Sequence, residues 1–333
     1  MSIANDANPS TATEPQKALA TGGTQPAAIR HPQFADFALL CFLAFLWGSS
    51  FLAIKIAVDE GLPPMSLATY RIAIGAVVLC SLACAKGQAW PRGGGLWRRL
   101  IFLGIVGNSL PFFLIAWGEQ YTPSNLAAIL MAVIPIFVVV LAHLMTSDEK
   151  LTFGKSVGVG IALVGVVVLV GVDALKGIGQ SVLGQLAILG ATISYSVYGV
   201  NTRRLPSMGP EMTVGTILLM GFVSLLPVWL VHDRPWEIHH TRPAILVILW
   251  LGMVSTAFGN LLFFLIMRRV GVGFAAFNNY LVPVMGIGWG FFWLGEKPGW
   301  NALVALLMIL GGLAATRFLT APASWRRNVG RSS

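Results

Sequence analysis

Residues 35–56 read ADFALLCFLAFLWGSSFLAIKI, twenty-two residues whose only charges are Asp36 near one end and Lys55 near the other. A helix rising 1.5 Å per residue needs about 20 such residues to cross a hydrocarbon core about 30 Å thick, and only a helix or a closed barrel satisfies its own backbone there. The stretch is predicted to be a membrane-spanning helix. Nine more of its kind follow, at about 65–85, 99–118, 123–145, 153–171, 182–201, 212–231, 244–266, 272–294 and 299–316. Between them fall the breakers Gly61-Leu62-Pro63-Pro64, Pro91-Arg92-Gly93-Gly94-Gly95, Pro206-Ser207-Met208-Gly209-Pro210 and Lys297-Pro298-Gly299.

Composition agrees. Of 333 residues, 56% are hydrophobic and 11% charged, with a mean hydropathy of +0.76. Soluble domains carry about 25% charged residues to coat their surface, so an ordinary soluble enzyme and a nucleic-acid module are both excluded despite the net charge of +9. That excess is explained by topology. The N-terminal segment, loops 2–3, 4–5, 6–7 and 8–9 and the C-terminal segment hold 16 of the 22 Lys and Arg, against 5 on the opposite side, with Arg71 left inside a helix. By the positive-inside rule both termini are expected in the cytoplasm and the helices in the plasma (inner) membrane. Residues 1–33 lack any apolar run and read as a disordered cytoplasmic tail; 318–333 read as a basic one. Cys41, Cys80 and Cys84 lie in apolar stretches without CxxC spacing, so neither disulfides nor metal ligands are indicated.

The chain repeats itself. An offset of 148 pairs Trp47 with Tyr195, Lys55 with Arg203, Gly104 with Gly252, Ala127-Ala128 with Ala275-Ala276 and Pro135 with Pro283; an offset of 147 then pairs Glu149 with Glu296 and Gly165 with Gly312. Five helices per half is an odd number, so the halves 34–172 and 181–317 must lie inverted in the membrane, a plan shared by many secondary transporters. The expected fold is therefore an all-α membrane protein of ten transmembrane helices in two inverted five-helix repeats.

Leu46-Trp47-Gly48-Ser49-Ser50-Phe51 with Ile54-Lys55, then Pro64, Tyr70-Arg71, Pro135 and Glu149, and in the second half Pro283 and Gly295-Glu296, resemble the drug/metabolite transporter superfamily, specifically its paired EamA domains. The resemblance covers roughly residues 35–317. It implies ten helices and export or exchange of small metabolites, commonly amino acids or related solutes, with no catalytic residue and no cofactor.

Polar side chains at membrane depth are costly unless paired or facing water, so they mark the expected substrate site. On helix eight Gly252, Thr256, Gly259, Asn260 and Phe263 share a face by i, i+4, i+7 spacing. Asn108 lies on the matching face of helix three; Trp47 and Ser50, Tyr195 and Tyr198, and Asn278, Asn279 and Tyr280 add aromatic and amide groups from helices one, six and nine. Arg71 and Glu119 are expected to interact as an outer gate or to capture a substrate carboxylate. Pro135 and Pro283 are expected to kink their helices around a central cavity. Small faces at Gly154/Gly158, Gly286/Gly290 and Gly311-Gly312 are read as internal helix packing in preference to a dimer interface, leaving a monomer in the bilayer.

The absence of Asp or Glu from helix centres weighs against export of organic cations and favours neutral or zwitterionic solutes. A multidrug exporter is the alternative within the class. A membrane acyltransferase using the His143/Asp148 pair is the alternative outside it, but the flanking phosphate-binding elements are missing. Gly271-x-Gly273-x-x-Ala276 follows a helix where a dinucleotide loop needs a strand, and His239-His240 has no carboxylate or Cys beside it.

Overall fold

The structure, a computed structural model, describes residues 31–145, 151–174 and 179–318. The expectations for the tails, and the proposed roles of Asp148 and Glu149, lie outside the described residues. Among the described residues ten helical segments follow one another, the first eight long and apolar enough to cross a membrane: α1 Phe34–Asp59, α2 Pro64–Ala85, α3 Gly94–Glu119, α4 Ser124–Met145, α5 Phe153–Ala174, α6 Gln180–Thr202, α7 Pro210–His232 and α8 Arg242–Val270, then α9 at 272–294 and α10 Trp300–Phe318. No strand occurs among the described residues. Large apolar side chains stand exposed around the bundle, among them Val77, Val167, Val231, Phe292 and Leu307. In water such a coat would be an aggregation liability; in lipid it is the expected outer surface.

The helices pair in a pattern that survives exchanging the halves. α5 packs on α10, α2 on α7 and α4 on α9; α1 packs on α8 and α9 as α6 packs on α3 and α4; α2 meets α8 as α7 meets α3. Glycines set the closest approaches. A Cβ on Gly158 would lie 2.5 Å from the Gly312 carbonyl, while one on Gly165 would press on Ala305, Met308 and Ile309, so α5 and α10 run antiparallel in tight contact. Gly286 faces Ala128, and Gly104 faces the backbone of Gly221. Gly311, by contrast, has nothing within 4 Å and is not part of the seam.

Both α3 and α8 contain π-helical stretches, Ile105–Ser109 and Trp250–Phe258. Shifted by 148 residues the first falls inside the second. In α3 the proline at 111 withholds a backbone donor and favours the widened turn.

The two prolines stand differently to the breaks in their helices. α4 breaks at Ala132-Val133, just ahead of Pro135. α9 breaks at Ala276-Phe277, six residues before Pro283, and Pro283 sits within the continuous helix Asn278–Leu294. Equivalent prolines therefore do not mark equivalent breaks, because a missing donor is tolerated when the surrounding packing holds the helix.

α2 and α7 are clamped at both ends. At one end the Glu211 carboxylate takes Lys86 Nζ and Gln88 Nε2, each at 2.6 Å. At the other, Ser66 Oγ donates to Asp233 (2.6 Å) and accepts from Trp229 Nε1 (2.9 Å).

Candidate functional site

Where α2 of the first half crosses the π stretch of α8, the polar residues of the interior meet. Arg71 is buried. Its Nε donates to Thr256 Oγ1 at 2.8 Å, its Nη2 lies 3.4 Å from Ser255 Oγ, and its guanidinium carbon sits 4.0 Å from the centroid of the Phe112 ring on α3. Ser255 is the hub: its hydroxyl pairs with that of Ser50 on α1, and its carbonyl accepts from Trp47 Nε1 at 3.0 Å. Trp47 lies against Gly259 and packs on Phe263 with ring centroids 5.4 Å apart. Asn260 Nδ2 donates to the Thr256 carbonyl (2.6 Å), and Tyr195 of α6 closes the set against Phe112.

Arg71 does not snorkel. Seven residues into α2, its backbone is roughly 10 Å below the helix start at 1.5 Å per residue. Its head reaches still deeper, because Thr256, to which it bonds, is the nearest neighbour of Gly75, one turn further down α2. The charge is thus held in the interior by two hydroxyls and an aromatic face, all neutral. No carboxylate bonds to it.

The expected Arg71–Glu119 contact is not a hydrogen bond in this structure, although the two charges lie close enough to act on each other electrostatically. Glu119 is fully buried at the end of α3, and neither carboxyl oxygen has a hydrogen-bond partner. The cation that reaches this residue is Lys55, which donates to the Glu119 backbone carbonyl (3.1 Å) and pairs with Asp59 (2.9 Å). Similar depth put Arg71 and Glu119 together in the sequence reading; the direction in which Arg71 points separates them.

Of the eleven expected substrate-site residues, Trp47, Ser50, Arg71, Tyr195, Thr256 and Asn260 form this one cluster. Tyr198 lies next to it, its ring filling the space beside Gly107. Asn108 instead faces Gly221 of α7. Asn278 is buried, with its Oδ1 unbonded, and Tyr280 packs on Phe277 and on the α4–α5–α10 core; among the described contacts none joins Asn278, Asn279 or Tyr280 to Arg71. Ser255 and Phe112 were missed. Spacing of i, i+4, i+7 selects 252, 256, 259, 260 and 263, whereas Ser255 joins the same face as the i+3 neighbour of Gly252 and the i−4 neighbour of Gly259, spacings that selection did not include.

Glu296 also acquires a role. Gly295, at φ +64°, ends α9 and turns the chain so that the Glu296 carboxylate accepts from Ser124 N (2.8 Å), Ser124 Oγ (2.9 Å) and Asn125 N (2.9 Å). It caps α4, whose own N-cap, Pro123, offers no side-chain acceptor. The small Gly290 leaves it room. His143, by contrast, accepts at Nδ1 from Leu151 N (3.2 Å), a loop-closing contact.

The comparisons agree with this architecture. The model of the EamA-like transporter family matches twice, at residues 36–171 and 182–318. The chain is 24% identical over 278 residues, 83% of this chain and 94% of the other, to the "uncharacterized transporter YoaV" of Bacillus subtilis. It is 28% identical over 272 residues, 80% of this chain and 88% of the other, to the "probable terminal-alkyne amino-acid exporter" of Streptantibioticus cattleyicolor. A solved crystal structure shares the fold with a TM-score of 0.60 at 20% identity, covering 86% of this chain and 98% of that one. Matched over both halves by one family model, the chain is a multi-pass membrane protein that belongs to the EamA-like transporter family.

Proposed function

We propose that this transporter exports or exchanges small solutes bearing a carboxylate, amino acids and their relatives, by alternating access about the Arg71 cluster. One observation carries the reading: the hydrogen bonds and the ring contact of the buried Arg71 guanidinium are all with neutral groups, and no carboxylate bonds to it. A buried charge without a directly bonded counter-ion is disfavoured, and the fork of N–H donors left over matches a carboxylate in a bidentate grip. A substrate carboxylate supplies the missing charge. Trp47, Phe112 and Tyr195 offer apolar surface for its side chain, and Asn260 a polar contact. The name of the Streptantibioticus relative supports the same substrate class.

The cluster spans the halves, with α1, α2, α3 and α6 on one side or the other of α8. Rocking 34–172 against 181–317 exposes it to each side in turn. The end carrying the starts of α3, α5, α7 and α9 is the basic one and faces the cytoplasm, the membrane is the inner membrane, and the working unit is the monomer.

The test is counterflow. Proteoliposomes holding the purified protein are loaded with unlabelled amino acids and diluted into labelled ones. Labelled amino acid should accumulate with wild-type protein and not with Arg71→Gln. Exchange of organic cations with none of any carboxylate, by protein that is folded and inserted, would refute the reading in favour of a drug exporter.

A further inference from the structure

At the basic end of the bundle, five arginines converge on one cleft of about 660 Å³. Arg92, Arg98 and Arg99, from the approach to α3 and its first turns, face Arg203 and Arg204 at the end of α6. All five are exposed, and no acidic side chain is among the described residues that line the cleft. Its floor is glycine-rich at 93–95, which keeps it open. Two of the arginines are anchored to backbone: Arg99 Nη1 donates to the Arg204 carbonyl (3.1 Å), and Arg204 Nη2 to that of Met145 (3.3 Å). Like charges are thus held close together, with Arg92 and Arg98 lining the same cleft.

The helix below the cleft is built for lipid. Residues 98, 101, 102 and 105 fall on one face of α3 by i, i+3, i+4, i+7 spacing. Arg98 heads this stripe, and Ile101, Phe102 and Ile105 beneath it are 41%, 44% and 38% exposed. Trp90, 42% exposed, stands at the same end, at the level where amphipathic rings sit in the headgroup region.

We propose that this cleft is a binding site for an anionic phospholipid, with its phosphate on the arginines and an acyl chain along Ile101, Phe102 and Ile105. A free phosphate would use the arginines alone; the apolar stripe below them is the feature that favours lipid. Basic pockets at the cytoplasmic ends of spanning helices hold anionic headgroups in this manner. The inference is independent of the transported substrate and rests only on the spanning of the membrane by α3 and α6.

The experiment uses the purified full chain, stripped of lipid in detergent and titrated with dioleoyl phosphatidylglycerol, dioleoyl phosphatidylcholine or inorganic phosphate, with binding read by native mass spectrometry. Phosphatidylglycerol should bind at least tenfold more tightly than phosphatidylcholine. The double variant Arg92→Gln/Arg98→Gln, which leaves both backbone anchors in place, should weaken that binding about 25-fold, from roughly 1 kcal/mol per arginine near a headgroup. Arg268→Gln/Arg269→Gln removes two exposed charges from the same end of the molecule and should change it less than threefold. Equal binding of the two lipids, equal loss in the two double variants, or full competition by inorganic phosphate at the lipid's own concentration would each overturn the site.

Discussion

Replacing Arg71 by Gln tests the carboxylate reading at its centre. The wild-type side chain makes one good hydrogen bond, Nε to Thr256 Oγ1 at 2.8 Å, one long one to Ser255 and a cation–π contact at 4.0 Å with Phe112. Losing those contacts costs about 1 kcal/mol each. Removing an uncompensated buried charge returns a desolvation term of similar or larger size. Thermal unfolding of Arg71→Gln in detergent is therefore expected at or above the wild-type temperature. Substrate binding should behave oppositely, since removing one member of a buried, hydrogen-bonded charge pair costs 2–5 kcal/mol. Taking about 3 kcal/mol, apparent affinity falls roughly 100-fold. Arg71→Lys should recover only part of this, because an ammonium is a point charge and cannot form the planar two-bond grip. The assay is counterflow half-saturation, measured for a transported amino acid and for its carboxamide. Wild-type protein should prefer the acid strongly; Arg71→Gln should treat the two alike. Unchanged affinity for the acid in a stable Arg71→Gln protein would show that the arginine is a tie between α2 and α8 and not an anchor for substrate.

Three further outcomes are expected in detergent-solubilised protein. Glu296→Ala should lower stability by about 2 kcal/mol through loss of the α4 cap, seen as earlier thermal unfolding; an unshifted transition would contradict the capping role. Gly312→Ala should destabilise by roughly 1–3 kcal/mol because its methyl meets the Gly158 carbonyl and the Ala162 backbone, whereas Gly311→Ala, open on all sides, should gain a few tenths to 1 kcal/mol of helix propensity; equal effects would place the seam elsewhere. Glu119→Met removes a buried carboxyl with no hydrogen-bond partner and should leave stability unchanged or raise it, so a large loss of folded protein would reveal a partner for that carboxyl.

The frame was legible in the sequence because lipid imposes it: with 11% charged residues the chain has no choice but to span, and each break shows as Pro, Gly or charge. The site was legible only in part. A helical wheel fixes depth and face for an ideal helix, and Arg71 with Glu119 failed because equal depth says nothing about the side chain's heading. Asn278, Asn279 and Tyr280 are consecutive, so at about 100° per residue they could never all face one cavity. Glu296 finds Ser124 across 172 residues with no local signal at all.

The repeat shows why the buried cation stands at one crossing and not at its equivalent. The offset of 148 that overlays the halves carries Arg71 onto Leu219, Ser255 onto Gly107, Thr256 onto Asn108 and Ser50 onto Tyr198. The contact is preserved while its chemistry is not. Where Ser50 and Ser255 share a hydroxyl hydrogen bond beneath Arg71, the equivalent positions hold the Tyr198 ring filling the space beside Gly107. Equivalent backbones, both widened by a π turn, thus supply two matching crossings, one with a cation among hydroxyls and one with the Tyr198 ring and the Ser109–Ser224 hydroxyl pair but no cation. A carrier with one carboxylate-binding position, as proposed for the Arg71 cluster, would need that difference. Duplication provides the hinge geometry, and divergence at four positions confines the charge to one crossing.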